Sequence, residues 1–192
     1  MPLNIPMQLT FLRIALIPVF VLAFYIPLFG VNNYIVTAIF FIAGVTDWFD
    51  GYLARKWDQQ SSFGAFLDPV ADKLMVATAL VMLVSKHPSI WLVIPAIIII
   101  GREITVSALR EWMANNGDTH KVAVSIIGKV KTAAQMWAIG FLLFEEPLGE
   151  VSTVMVGYFL LYTAAILTLW SMVIYIQAAW STLKVESQSN KG

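Results

Sequence analysis

The chain has 192 residues, 59% hydrophobic and only 12% charged, which excludes an ordinary soluble domain, where about a quarter of residues are charged, and indicates an integral membrane protein. Twelve Lys and Arg offset twelve Asp and Glu, so net charge gives no reason to expect a nucleic-acid partner. The absence of cysteine excludes disulfides and thiolate metal sites.

A membrane crossing takes about 20 apolar residues, and six such runs follow one another, giving an all-α, polytopic membrane protein with six transmembrane helices as the expected fold. The first covers Phe11 to Phe29; with no basic start and no small-residue cleavage site before it, it reads as a retained helix rather than a signal peptide. The second and third, Tyr34 to Leu53 and Pro69 to Ser85, carry acidic residues at their facing ends and are expected to extend past the hydrocarbon into water. The fourth, fifth and sixth cover Ile90 to Met113, Val122 to Phe144 and Val151 to Ala179. Continuous runs rather than alternation disfavour a β-barrel. Residues 1–183 read as a single transmembrane catalytic domain and 184–192 as a polar tail, with VESQSNKG expected to be disordered. Trp91, Trp112, Trp170 and Trp180 are expected to be interfacial or packing aromatics.

Arg55 and Lys56 follow the second run, Arg110 and Lys121 flank the loop after the fourth, and Lys184 and Lys191 lie in the tail, whereas the opposite loops carry Lys86 against Glu145, Glu146 and Glu150. By the positive-inside rule, the acidic loop, both termini and the loop from Asn115 to His120 face the cytoplasm.

The stretch from Asp47 to Lys73 reads DWFDGYLARKWDQQSSFGAFLDPVADK. An aspartate at the centre of a membrane helix costs roughly 2.5 to 3.5 kcal/mol, so Asp47, Asp50, Asp68 and Asp72 together require compensation. At 100° per residue, Asp47, Asp50, Gly51 and Ala54 fall within an arc of about 100°, and Asp68 and Asp72 lie about 40° apart on the next helix. Facing each other, these pairs form an all-oxygen donor set suited to Mg2+ or Mn2+, with two cations balancing four carboxylates. Gly51 and Gly64 leave room for a bulky polar ligand, and Arg55 offers paired donors to a phosphate. The plain alternative is a solvated elbow in which the acids pair with Arg55, Lys56 and Lys73. Asp58, off the apolar face, fits that role.

The spacing D-x2-D-G-x2-A-R-x8-G-x3-D-x3-D, met at Asp47, Asp50, Gly51, Ala54, Arg55, Gly64, Asp68 and Asp72, resembles the signature of the CDP-alcohol phosphatidyltransferases. The resemblance implies a six-helix membrane enzyme, commonly a homodimer, that displaces CMP from a CDP-linked lipid with an alcohol. It also implies two divalent metal ions on Asp47, Asp50 and Asp68, with Asp72 as both ligand and general base. Gly51, Ala54, Arg55 and Gly64 are thereby placed at the CDP-diacylglycerol site, together with Thr10, Arg13 and Ser61. Thr10 also reads as a first-turn helix residue, and Ser61 as an ordinary loop residue.

A second polar cluster, GREITVSALREW followed by IGKVKTAAQ, holds Arg102, Arg110, Lys129 and Lys131. Arg102 and Arg110 differ by about 80° around a helix and roughly 12 Å along it, so both can border one pocket. Arg102, Arg110 and Lys129 are the expected grip on an acceptor phosphate. Lys121 and Lys131 read equally as snorkelling side chains, and Glu103 and Glu111 as partners of the arginines. The stretches NIPMQLTFLRI, TDWFDGYLAR, FGAFLDPVADK, REITVSALREW and GKVKTAAQM are similar to family members that use glycerol 3-phosphate as acceptor, which implies phosphatidylglycerophosphate as product at the inner membrane of a bacterial cell. His87 and His120 have no ligand-spaced partner and read as bystanders.

Three rivals remain open: the same chemistry with inositol phosphate, serine or choline, a prenyltransferase, and a cation-coupled transporter. Prenyltransferases show denser aspartate clusters, and transporters show inverted repeats and broken helices.

Overall fold

The computed structural model describes residues 5–26, 32–56, 62–115 and 126–189. Among the described residues there are six helices, α1 (Ile5–Tyr25), α2 (Asn32–Lys56), α3 (Ser62–Lys86), α4 (Ile90–Asn115), α5 (Ile126–Phe144) and α6 (Thr153–Ser189). An isolated bridge between Leu148 and Val151 is the one extended pairing among them.

The helices close a ring in which α1 packs on α2, α2 on α5, α5 on α6, α6 on α4, α4 on α3 and α3 on α1, while α3 also touches α2 and α5. Its sequence suits this central place. Ala71, Met75 and Ala79 recur every fourth residue, all buried, so one face of α3 is turned to its neighbours along several turns. The buried core to which α3 contributes also holds Phe20 of α1, Phe40 of α2, Ile99 of α4, Ile139 of α5 and Leu161 of α6.

The polarity of the bundle is that of a protein in lipid. Large apolar side chains such as Leu22, Val81, Ile97, Ile104, Phe159 and Ile166 point outward, whereas Thr10, Arg13, Arg102, Lys131 and Gln135 are buried. In water such an apolar exterior would drive association; in hydrocarbon it is the stable arrangement. Three helical stretches, Met7–Tyr25, Ile90–Met113 and Thr153–Gln177, are long and apolar enough to cross a membrane, and Val130–Phe144 is a shorter apolar helix. The acids in α2 and α3 shorten the apolar parts of those two helices.

Two boundaries differ from the sequence expectation. Helix α1 begins before Phe11, which puts Thr10 and Arg13 well inside the helix. Helix α6 continues through Ser189, so most of the tail expected to be disordered is helical: Lys184, Glu186 and Gln188 are good helix formers that propagate an existing helix. At 37 residues, α6 is about 55 Å long and outreaches the roughly 30 Å hydrocarbon core.

At the end opposite the acids, Glu145 ties three helices together. Its carboxylate accepts from Lys86 at 2.7 Å, pairs with His87 at 2.5 Å and accepts from Asn33 at 3.3 Å. His87 is thus a structural partner, remote from the acids, while His120 lies outside the described residues. Glu145 closes α5 with a φ of 59°, the left-handed conformation usually left to glycine, and its three side-chain partners hold it there.

Candidate active site

Helix α1 joins the two acid-bearing helices. Thr10 and Arg13 lie three residues apart on one face and are almost completely buried. Arg13 Nη1 stands 2.7 Å from Asp47 Oδ1 of α2 and 3.2 Å from Asp72 Oδ1 of α3, and Thr10 Oγ1 donates to Asp68 Oδ1 at 2.5 Å. The structure therefore brings together Thr10, Arg13, Asp47, Asp68 and Asp72. The reading of Thr10 as a mere first-turn residue gives way to a tertiary contact. The depth profile is asymmetric: the Arg13 side chain is 1% exposed, whereas those of Asp47 and Asp72 are 36% and 51% exposed. A buried cation backs carboxylates that open outward.

Asp50, Gly51, Ala54 and Arg55 continue α2 beyond Asp47, although their side chains lie outside the described part of the structure. Gly64 is buried near the start of α3. Ser61 lies outside the described residues. Pro69, directly after Asp68, lacks the N–H that would bond the carbonyl of residue 65, so the α3 ladder is interrupted beside the acids.

Whether these side chains suit metal can be judged from their chemistry. Arg13 and Thr10 meet Asp47, Asp68 and Asp72 from the buried side, and the carboxylates of Asp47 and Asp72 are partly exposed. Among the described residues no group of three acids or imidazoles by itself makes a metal site; Asp50 is the signature's remaining donor. In kind, a set of carboxylates without sulfur or imidazole fits a hard divalent cation.

The second cluster lies across α3. Lys73 Nζ donates to Ser107 Oγ of α4, which fixes the level of α4 against Asp72. One turn away, Arg102 Nη1 and Lys131 Nζ both donate to Glu103 Oε1, at 3.1 and 2.8 Å. Arg102 also donates to Ser171 Oγ of α6 at 3.0 Å and lies 5.7 Å from the Tyr175 ring. Lys131 is 5% exposed: it is a buried ion-pair partner, not a snorkelling side chain. Glu103 does partner an arginine, as one sequence reading has it. Arg110 and Lys129 are placed on α4 and α5 by their backbones; their side chains lie outside the description.

Lys73, Ser107, Lys131, Ser171 and Tyr175 have no part in the site as read from the sequence. The signal that singles out Lys131 is its position within an apolar run, where an ionisable residue needs a partner.

The CDP-alcohol phosphatidyltransferase family model matches residues 3–176. The chain belongs to this family. It is 56% identical to a CDP-diacylglycerol--glycerol-3-phosphate 3-phosphatidyltransferase of Haemophilus influenzae over 184 residues, 95% of this chain and 97% of the relative. It is 52% identical to the enzyme of the same name from Yersinia pestis and 51% identical to that from Shigella flexneri, in each case over 95% of this chain and 98% of the relative.

Proposed function

We propose that the protein transfers the phosphatidyl group of CDP-diacylglycerol to the sn-1 hydroxyl of glycerol 3-phosphate, giving phosphatidylglycerophosphate and CMP. The observation that carries this reading is the convergence of Asp47, Asp68 and Asp72 from two helices on the buried Thr10 and Arg13 of a third, in a chain matched nearly end to end by relatives named for that reaction.

Asp47, Asp50, Asp68 and Asp72 would hold Mg2+ or Mn2+, two ions in the family pattern. When bound, such ions polarise the pyrophosphate and stabilise the charge that builds on the departing CMP. The protein's own part begins with Asp72, whose half-exposed carboxylate can accept the hydroxyl proton. The alcohol oxygen then bonds to the lipid-linked phosphorus, and the phosphorus–oxygen bond to CMP breaks. Arg13, held behind Asp47 and Asp72, keeps the two carboxylates in register. Gly51, Ala54, Arg55, Ser61 and Gly64 surround the nucleotide-linked donor, and Arg102, Arg110 and Lys129 receive the acceptor phosphate.

All six helices cross or enter the bilayer, with α2 and α3 carrying their acids to the cytoplasmic surface of a bacterial inner membrane. A donor at that level keeps its acyl chains in lipid while the water-soluble acceptor arrives from the cytoplasm. Residues 1–183 act as one catalytic domain, in a homodimer as the family pattern implies.

A panel of labelled acceptors assayed for CMP release in detergent tests the reading. Glycerol 3-phosphate is expected to be used; release only with serine, choline or inositol phosphate would replace it by another member reaction of the family. Turnover without any gradient would separate an enzyme from a cation-coupled transporter.

A further inference from the structure

Between α4 and α5 the bundle has a gap. The two helices make no backbone contact among the described residues, although both pack on α3 and on α6. Polar groups cross this gap: Lys131 of α5 reaches Glu103 of α4, and Arg102 beside it reaches Ser171 of α6. Both cations take the same carboxylate oxygen, Oε1, so moving one moves the other. Lys73, adjacent in the chain to Asp72, is anchored one turn away on Ser107 and lies within coulombic reach of Glu103.

Among the described residues, Lys73, Arg102 and Lys131 gather about one carboxylate, that of Glu103, so positive charge exceeds negative there, in a setting where an unpaired cation is costly. A phosphate monoester carries about −1.5 to −2 at neutral pH, which suits that excess. Arg102 is also packed against Tyr175 and held by Ser171, and the Nε of Arg102 and the Oε1 of Gln135, one turn beyond Lys131, are buried with no hydrogen-bond partner among the described residues.

We propose that Glu103 is a positioning residue for the phosphorylated acceptor. Without touching the reacting atoms, it clamps Arg102 and Lys131 at one oxygen across the gap and so sets where the phosphate comes to rest relative to Asp72. Glu103 therefore strengthens binding of an anionic acceptor, although its own charge is negative. This inference rests on the reading that the acceptor bears a phosphate.

The test is steady-state CMP release by the full-length protein in detergent, with each substrate varied in turn. A wild-type protein inactive with glycerol 3-phosphate would overturn the reaction proposed above. Given an active wild type, Glu103→Gln is expected to raise the KM for glycerol 3-phosphate by about tenfold or more, the scale of losing a hydrogen bond to a charged group. The KM for CDP-diacylglycerol should stay within about twofold and kcat within about threefold, the pattern of lost acceptor binding. Glu103→Asp, which keeps the charge on a shorter stem, should recover part of the loss. An unchanged acceptor KM overturns the inference, as does a rise in both KM values together with a lower melting temperature. If Glu103→Gln is not recovered folded, Glu103→Asp is judged alone by the same split between substrates, and an unchanged acceptor KM overturns the inference. Loss of fold in both variants overturns the inference in favour of a purely structural role.

Discussion

Arg13 Nη1 lies 2.7 Å from Asp47 Oδ1 and is the same atom that stands 3.2 Å from Asp72 Oδ1, so one guanidinium nitrogen of α1 holds an acid of α2 and an acid of α3 in register. A point charge on a flexible stem does this less well than a planar fork. Arg13→Lys is therefore expected to retain the fold but lose about tenfold in kcat, and Arg13→Met about 100-fold or more, the scale seen when a charge-positioning group is removed. CMP release against melting temperature checks it. Because both acids are partly exposed, the stability loss should fall short of the roughly 3 to 5 kcal/mol of a fully buried pair.

Asp72→Asn is expected to abolish turnover while leaving CDP-diacylglycerol able to bind, because the amide keeps the shape and removes the proton acceptor. Donor binding measured by thermal shift, alongside CMP release, separates the two effects. Wild-type-like turnover would take Asp72 out of the mechanism. Chelation with EDTA should stop the wild-type reaction, and Mg2+ or Mn2+ should restore it.

Glu145 links α5 to Lys86, His87 and Asn33 outside the membrane-spanning stretches. Burial disfavours its charged form, but the hydrogen bonds and charges of Lys86 and His87 outweigh that and hold its carboxyl below the ordinary value of 4.5. A lowered folded-state pKa contributes stability that is present above the unfolded value and lost as pH falls through the folded one. Acid melting curves should show this loss below about pH 4.5 for the wild type, and Glu145→Gln should be less stable at neutral pH and flatter across that window.

Gly140 of α5 faces Phe41 of α2 so closely that an added Cβ would clash with the ring. The ring has little freedom to move, being packed against Trp137 with centroids 5.3 Å apart and against Phe40 at 5.9 Å. Gly140→Ala is expected to cost about 1 to 3 kcal/mol by overpacking, read as a lower melting temperature, with relief in Gly140→Ala/Phe41→Leu.

Tyr162 of α6 donates to the Trp91 carbonyl at 3.0 Å, the carbonyl that Pro95 leaves without its helical donor. Tyr162→Phe should cost about 1 kcal/mol. In a Pro95→Ala background, where the backbone N–H returns, the same change should cost less; a double-mutant cycle of melting temperatures reports the difference.

The six helices, the acid signature and the all-α class were legible in the chain because apolar run length and fixed spacing are local properties. Thr10 and Arg13 entered the site by resemblance, with no local pattern to show what they touch. Their partners on α3 lie 58 and 59 positions away, and Lys131 and Glu103 are 28 apart. Periodicity tells which side of its own helix a residue takes, but not which helix will face it. Helix packing decides that. It turned Lys131 from one of two open readings into a buried partner, gave Arg102 its bond to Ser171 across 69 positions, and set a buried arginine behind the acids that the sequence had already placed in pairs. The chain by itself determined which charges adjoin apolar runs, since the sequence lists them and hydrocarbon makes each costly. The tertiary structure decided how they are compensated, because in a bilayer that compensation comes from whichever helices pack together.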